Sequence, residues 1–127
     1  MEFLLDTHTF LWFASGDEKL PKTLQNEIKN LNNSCFLSVA SMWEIVIKQR
    51  LGKLNTTLKI DKLFKLAQKN QIEILQINSD HLIKLSKLPL KHSDPFDRLI
   101  ISQSQAENLV VISKDEAFKE FQINLIW

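Results

Sequence analysis

Four acidic residues far apart in the sequence each lie beside an apolar segment: Asp6, Glu44, Asp97 and Asp115. Carboxylate oxygens select hard divalent cations such as Mg²⁺ and Mn²⁺, and such a cation activates water and neutralises charge on a phosphodiester. Four carboxylates packed together repel one another and are costly to desolvate unless cations neutralise them. A fold that gathers these acids would therefore create a metal site suited to phosphodiester hydrolysis.

Asp6 and Glu44 also have ordinary structural explanations. Asp6 is suited to capping a helix that begins near Thr9. Glu44 is suited to pairing with Lys48 at the favourable i to i+4 spacing, but the surrounding sequence, WEIVI at 43–47, predicts a largely buried helix. An unpaired carboxylate is costly there, so a metal would supply the missing countercharge.

The other two acids lie in segments that resemble helix starts. In SDPFD at 93–97, Asp94 suits the N-cap and Asp97 the N3 position, with proline at the first helical position. SKDE at 113–116 has capping-box spacing, which would leave Asp115 as a first-turn acid beside the helix dipole. Capping alone does not predict that all four acids should reach one edge of a sheet.

Apolar periodicity predicts alternating strands and helices. Short apolar runs predict buried strands at 3–5, 35–38, 72–77, 109–113 and 124–127. Helical patterns cover 21–31, 39–51, 60–69, 79–88 and 95–107, with a short helix at 116–121. This alternation predicts an α/β fold, a mostly parallel five-stranded sheet flanked by helices on both faces.

All strands of such a sheet end at one edge, where ligands bind. Asp6 follows the first strand, Asp115 follows the fourth, and Glu44 lies on the second turn after the second strand. Asp97 lies in the first turn of helix 95–107. A helix of about 13 residues spans roughly 20 Å, so this turn can reach the carboxyl edge although the next strand starts at the opposite one.

Composition restricts the class of protein. With 127 residues, 44% of them hydrophobic, we expect one domain over 1–127. A net charge of +1 provides no global field for a polyanion, so nucleic-acid binding must come from local arrangement. Cys35 is the only cysteine, which excludes an internal disulfide, and no segment resembles a signal peptide or membrane span. We expect a cytoplasmic protein with no membrane association.

The histidines and tryptophans add little from sequence. No histidine pair has zinc-ligand spacing, so neither His8 nor His92 is favoured as a metal ligand, and His81 is expected to be an ordinary helix residue. His92 suits either a solvated turn or contact with phosphate. Cys35 is expected in the core. Three tryptophans are expected to be core or interface anchors rather than base-stacking platforms: Trp12, Trp43 and Trp127.

Several segments together resemble the PIN domains of VapC-like toxins over the whole chain. They are LLDTH at 4–8, SMWEI at 41–45, GKL at 52–54, HSDPFDR at 92–98, SKD at 113–115 and the closing IW. The resemblance implies a PIN fold and hydrolysis of single-stranded or looped RNA with Mg²⁺ or Mn²⁺. It also implies a small antitoxin as partner, a homodimer, and contact with DNA only through the antitoxin.

The resemblance also assigns residues. The family's acidic quartet falls on Asp6, Glu44, Asp97 and Asp115, and its hydroxyl residue, often threonine, falls on Ser113. Many members read DPAF where this chain reads DEAF at 115–118, so the extra acid, Glu116, leaves open which of the two binds metal. Thr7, Arg98 and His92 are further candidates for positioning substrate.

Basic residues near these motifs are candidates for phosphate contact: Lys48, Lys53, Lys91, Arg98 and Lys114. Surface lysines commonly serve only solubility, and Arg98 has Asp94 as an alternative partner.

Two rival functions remain at this point. A receiver-type phosphotransfer domain has similar length and acids at strand ends, but receivers resemble one another in paired acids after strand one, and here Asp6 stands alone. The second rival is a PIN scaffold that binds RNA or protein without cutting, and the intact quartet argues against it.

Overall fold

The computed structural model describes residues 1–127, and its strands form a single five-stranded sheet. The strands are β1 (Glu2–Leu5), β2 (Ser34–Ser38), β3 (Ile72–Leu75), β4 (Val110–Ile112) and β5 (Asn124–Ile126). They are arranged in the order β3-β2-β1-β4-β5, and every neighbouring pair is parallel. All five strands therefore end at the same edge.

Helices cover both faces of the sheet. They are α1 (Thr7–Ser15), α2 (Lys22–Lys29), α3 (Val39–Arg50), α4 (Ile60–Lys69), α5 (Ser79–Ser86) and α6 (Pro95–Glu107), followed by a 3₁₀ turn at Glu116–Glu120. Side chains of β1 alternate between the faces: Phe3 and Leu5 join one apolar cluster with Phe10, whereas Leu4 joins another with Ile100. No helix is both long and apolar enough to cross a membrane.

The predicted α/β architecture is confirmed, with differences at element ends. Strand 72–77 ends at Leu75, and strand 109–113 shortens to Val110–Ile112 because the Leu109 N–H donates to the Ser104 carbonyl at 2.9 Å, which closes α6. The first helix begins at Thr7, not near Thr9, since Asp6 is its N-cap. The bounds of α6 match the prediction because Asp94 caps it and proline follows.

The centre of the sheet is where successive connections diverge. β1 pairs with β2 on one side and β4 on the other, and Leu5 is in register with Leu37 and Ile112. In open parallel sheets, ligands bind outside the carboxyl ends at such a switch point. Asp6 and Ser113 follow β1 and β4 directly at this point.

Candidate active site

Asp6 is buried at the end of β1, and both its carboxylate oxygens are engaged. Oδ1 accepts the Thr9 N–H at 2.9 Å, which caps α1, and Oδ2 accepts the Ser113 hydroxyl at 2.5 Å. The residue is 6% exposed, and this burial raises the pKa of the carboxyl above its ordinary value, although the hydrogen bonds oppose the rise. Capping and a place in the acidic cluster are therefore compatible roles for Asp6.

Glu44 is buried on α3, as its apolar neighbours predicted. The Thr7 hydroxyl donates to Oε1 at 2.6 Å, and Lys48 Nζ lies 2.7 Å from Oε2. The i to i+4 ion pair therefore forms even though Glu44 is buried. Lys48 lies one turn further along α3, and its side chain is partly exposed. The pairing with Lys48 that the sequence offered as an alternative is therefore present, and this lysine supplies a countercharge to the buried Glu44 carboxylate.

Asp97 lies within reach of Asp115 and His92. One ligand atom from each of these three residues lies within 4.8 Å of the others. His92 Nε2 donates to Asp97 Oδ2 at 2.9 Å, and this hydrogen bond raises the pKa of His92. Burial raises the pKa of Asp97 to about 6, with contributions from the charges of Asp94 and Glu44. The first turn of α6 therefore does lie near the carboxyl edge.

Asp115 leads into the 3₁₀ turn. Its Oδ1 accepts the Ala117 N–H at 2.9 Å, and its own N–H donates to Ser113 Oγ at 3.0 Å. The capping-box interpretation of segment 113–116 is wrong, because Asp115 and not Ser113 is the N-cap of this turn. The Ser113 Oγ accepts the Asp115 N–H and also donates to Asp6. Glu116 pairs with Lys119 at 2.8 Å with its side chain 78% exposed, so Asp115 is the acid that lies beside Asp97.

Asp6 and Asp115 face the same cavity. Both line one cavity of about 370 Å³, together with His8, Trp12 and Lys114. Asp115 neighbours Asp97, and Glu44 acts electrostatically on Asp97. Of the four acids predicted from sequence, Asp97 and Asp115 thus approach each other directly, Asp6 shares a cavity with Asp115, and Glu44 is related to Asp97 through its charge. These four residues are called the acidic group below.

The donor set around Asp97 suits a hard divalent cation. Carboxylate oxygens favour Mg²⁺ and Mn²⁺, and the single imidazole of His92 is tolerated better by the softer Mn²⁺. His92 was not favoured as a ligand from sequence. It lies five residues before Asp97, across a helix cap, and no ligand-spacing rule identifies such a pair.

Arg98 and His81 have structural roles. The Arg98 guanidinium donates to the carbonyls of Leu88, Pro89 and His92 at 2.7–3.2 Å, so it neither pairs with Asp94 nor remains free for phosphate. His81 lies on α5, as expected of a helix residue, and there it is fully buried and forms a capping box with Asn78.

The phosphate-contact candidates separate into two groups. Lys48 is held by Glu44, and Lys91 reaches the Glu120 carbonyl at 3.5 Å. Lys53 and Lys114 are exposed and line cavities next to Asp6 and His8.

The tryptophans are more exposed than core residues. Trp43 is 60% exposed and meets Phe96 edge-on at 5.3 Å, and Trp127 is 40% exposed, so neither is a core anchor. Cys35 is buried as expected, and burial raises the pKa of its thiol to about 11.

Comparison with known proteins agrees with the fold. A family model described as PIN domain matches residues 3–124. A chain in the structure of VapBC2 from Rickettsia felis bound to a promoter DNA fragment is similar, with a TM-score of 0.74, 17% identity, and coverage of 99% of this chain and 98% of that chain.

Two further structures are similar. VapBC-1 from nontypeable Haemophilus influenzae gives a TM-score of 0.69 at 18% identity, covering 99% of this chain and 97% of that chain. FitAcB from Neisseria gonorrhoeae gives a TM-score of 0.67 at 15% identity, covering 98% of this chain and 96% of that chain. No curated protein sequence matches the chain. At these identities the structural likeness establishes the fold alone.

Proposed function

The chain belongs to the PIN domain family, a family of nucleases, and we propose from this that it is an endoribonuclease dependent on Mg²⁺ or Mn²⁺. Its substrate would be single-stranded or looped RNA, and its role that of the toxin in a toxin–antitoxin pair. The observation that carries the proposal is the approach of His92, Asp97 and Asp115 to within 4.8 Å, beside the cavity that holds Asp6.

The acids have distinct tasks in this proposal. Asp97 and Asp115 would hold the cation, Asp6 would complete the site, and Glu44 would bind directly or through water. The bound ion would lower the pKa of a water molecule and polarise the phosphoryl oxygen. An alternative non-catalytic scaffold would not require this acidic group, whose mutual repulsion costs stability.

Three other residues position the acids. The Ser113 hydroxyl holds Asp6 Oδ2, the Thr7 hydroxyl holds Glu44 Oε1, and His92 holds Asp97 Oδ2. Such partners fix ligand orientation, and their loss costs about 10- to 100-fold in metal affinity or activity. Each of these residues would act through an acid and not on the substrate itself.

The toxin role rests on different support. VapBC2 was solved bound to a fragment of promoter DNA, and a chain of a toxin–antitoxin complex from Klebsiella pneumoniae is also similar in fold. We propose that this chain is likewise held inactive by a small antitoxin, forms a homodimer, and meets DNA only through that antitoxin. The proposed site of action is the cytoplasm, and the single buried cysteine requires no oxidising compartment.

A cleavage assay tests the enzymatic part. The purified chain is incubated with a fluorophore–quencher RNA in Mn²⁺, in Mg²⁺ and with excess chelator. We expect metal-dependent cleavage that Asp97→Asn abolishes and that Asp61→Asn, an exposed acid on α4, retains. RNA binding without cleavage in either metal would reject the enzyme in favour of the scaffold.

A further inference from the structure

Two cavities adjoin beside the acidic group. The smaller, of about 370 Å³, contains Asp6 and Asp115, and the larger, of about 590 Å³, extends from α1 to the segment at 53–58. His8 and Trp12 line both cavities. The two cavities are therefore parts of one groove that leads away from the acids.

Exposed lysines occupy this groove on both sides of the shared residues. Lys114 lines the smaller cavity, and Lys19 and Lys53 line the larger. None of the three belongs to a salt bridge, since the lysine pairs in this structure involve Lys48 and Lys119. The acid in the larger cavity, Asp17, accepts the Lys19 N–H at 2.9 Å and so serves the local turn. The groove thus offers amines free to meet a polyanion.

Two glycines direct the lysine-bearing turns into the groove. Gly16, with φ of 67°, ends α1, and the next N–H donates to the Trp12 carbonyl at 2.9 Å. Gly52, with φ of 68°, follows α3, and the Lys53 N–H donates to the Lys48 carbonyl at 2.9 Å. Both conformations favour glycine because other residues are strained there. The backbone of both turns is therefore held in place.

Two aromatic rings, His8 and Trp12, line both cavities, and Trp127 packs against Trp12 beside them. The Trp12 ring centroid is 5.8 Å from that of His8 and 5.8 Å from that of Trp127, which is 40% exposed. Lys19 Nζ lies 5.9 Å from the Trp12 ring centroid. Aromatic faces beside cations are the combination that binds unpaired nucleic-acid bases and their phosphates.

We infer that this groove is the track along which single-stranded RNA reaches the acidic group, an inference that rests on the proposed function. Lys114, Lys19 and Lys53 contact phosphates on either side of the junction, and Trp12 with Trp127 stacks bases. Phosphate contacts and stacking are both tolerant of sequence, but stacking requires bases that are not paired in a duplex. The track therefore selects for unpaired RNA.

Binding of a short fluorescein-labelled single-stranded RNA, followed by anisotropy in the Asp97→Asn background, tests the track. We expect Lys53→Ala and Lys19→Ala each to weaken binding about three- to tenfold and to reduce the salt slope by about one. Trp127→Ala should weaken binding about tenfold. Lys84→Ala is the matched control, because this lysine lines a cavity at the opposite, amino edge of the sheet.

Unchanged RNA affinity and salt slope in Lys53→Ala and Trp127→Ala would overturn the track, and this is the result expected if the groove serves a polypeptide partner instead. Equal competition by duplex and single-stranded RNA would overturn the stacking. Metal-dependent cleavage by the wild type is measured separately. Its absence rejects the proposed function, whereas wild-type cleavage with variants that bind normally rejects only the track.

Discussion

The Ser113 hydroxyl donates to Asp6 Oδ2 at 2.5 Å, joining two residues 107 positions apart in the sequence. The contact follows from the parallel pairing of β1 with β4, which sets Leu5 beside Ile112 and so brings the next residue of each strand together. The bond orients the buried carboxylate while Oδ1 caps α1.

Removal of this hydroxyl should weaken metal binding. In Ser113→Ala, Asp6 Oδ2 loses its donor within a buried site, so we expect Mn²⁺ affinity to fall by roughly 10-fold or more. Ser113→Thr retains a hydroxyl and should restore most of the affinity. Calorimetric Mn²⁺ titration measures both variants. Equal affinities for wild type and Ser113→Ala would show that Asp6 needs no such orientation.

Asp97→Asn should stabilise the metal-free protein in a pH-dependent way. The Asp97 pKa is raised from 3.8 to about 6, so ionising this carboxyl opposes folding. The stability of the protein with Asp97 protonated is fully present below pH 3.8 and is lost as the pH rises through 6. We expect the variant to gain about 1 to 2 kcal/mol over wild type at pH 8 and about half of that at pH 5.

Urea unfolding in chelator at both pH values gives the comparison, with Asp61→Asn as the control for loss of an exposed acid. A large loss of stability in Asp97→Asn at pH 8 would mean that the carboxylate mainly supports the start of α6.

Lys48 should matter more for stability than an exposed lysine. Lys48→Met leaves the Glu44 carboxylate buried without its partner, which should cost about 1 to 3 kcal/mol. Glu44→Gln/Lys48→Met removes the stranded charge and should recover most of this loss. A double-mutant cycle by denaturant unfolding measures the coupling energy. Additive effects of the two changes would contradict a functional ion pair.

Divalent metal should stabilise the native chain. Mn²⁺ at a hundred times its Kd is expected to add about 2.7 kcal/mol, because the acidic group exists only in the folded state. The effect should vanish in Asp6→Asn/Asp97→Asn, and Mn²⁺ should act at lower concentration than Mg²⁺. Differential scanning calorimetry compares the two proteins. Identical metal-dependent shifts would place the binding site elsewhere.

The sequence by itself determined the sheet and its flanking helices. Apolar periodicity identifies strands and helices locally, and Asp94 with its following proline specifies where α6 begins. Because parallel strands end at one edge, the position of an acid just after a strand also predicts its neighbours. These features depend on short-range sequence and on one rule of topology.

Only the tertiary structure decided how each side chain is used. Strand register brings the Ser113 hydroxyl to Asp6, a contact between distant segments that the local sequence does not encode. His92 reaches Asp97 because the turn before α6 folds back, and no periodicity encodes that turn. The exposure of Trp43 depends on what packs over α3. Such contacts depend on distant segments meeting at ångström precision, whereas periodicity reports only which face of an element is apolar.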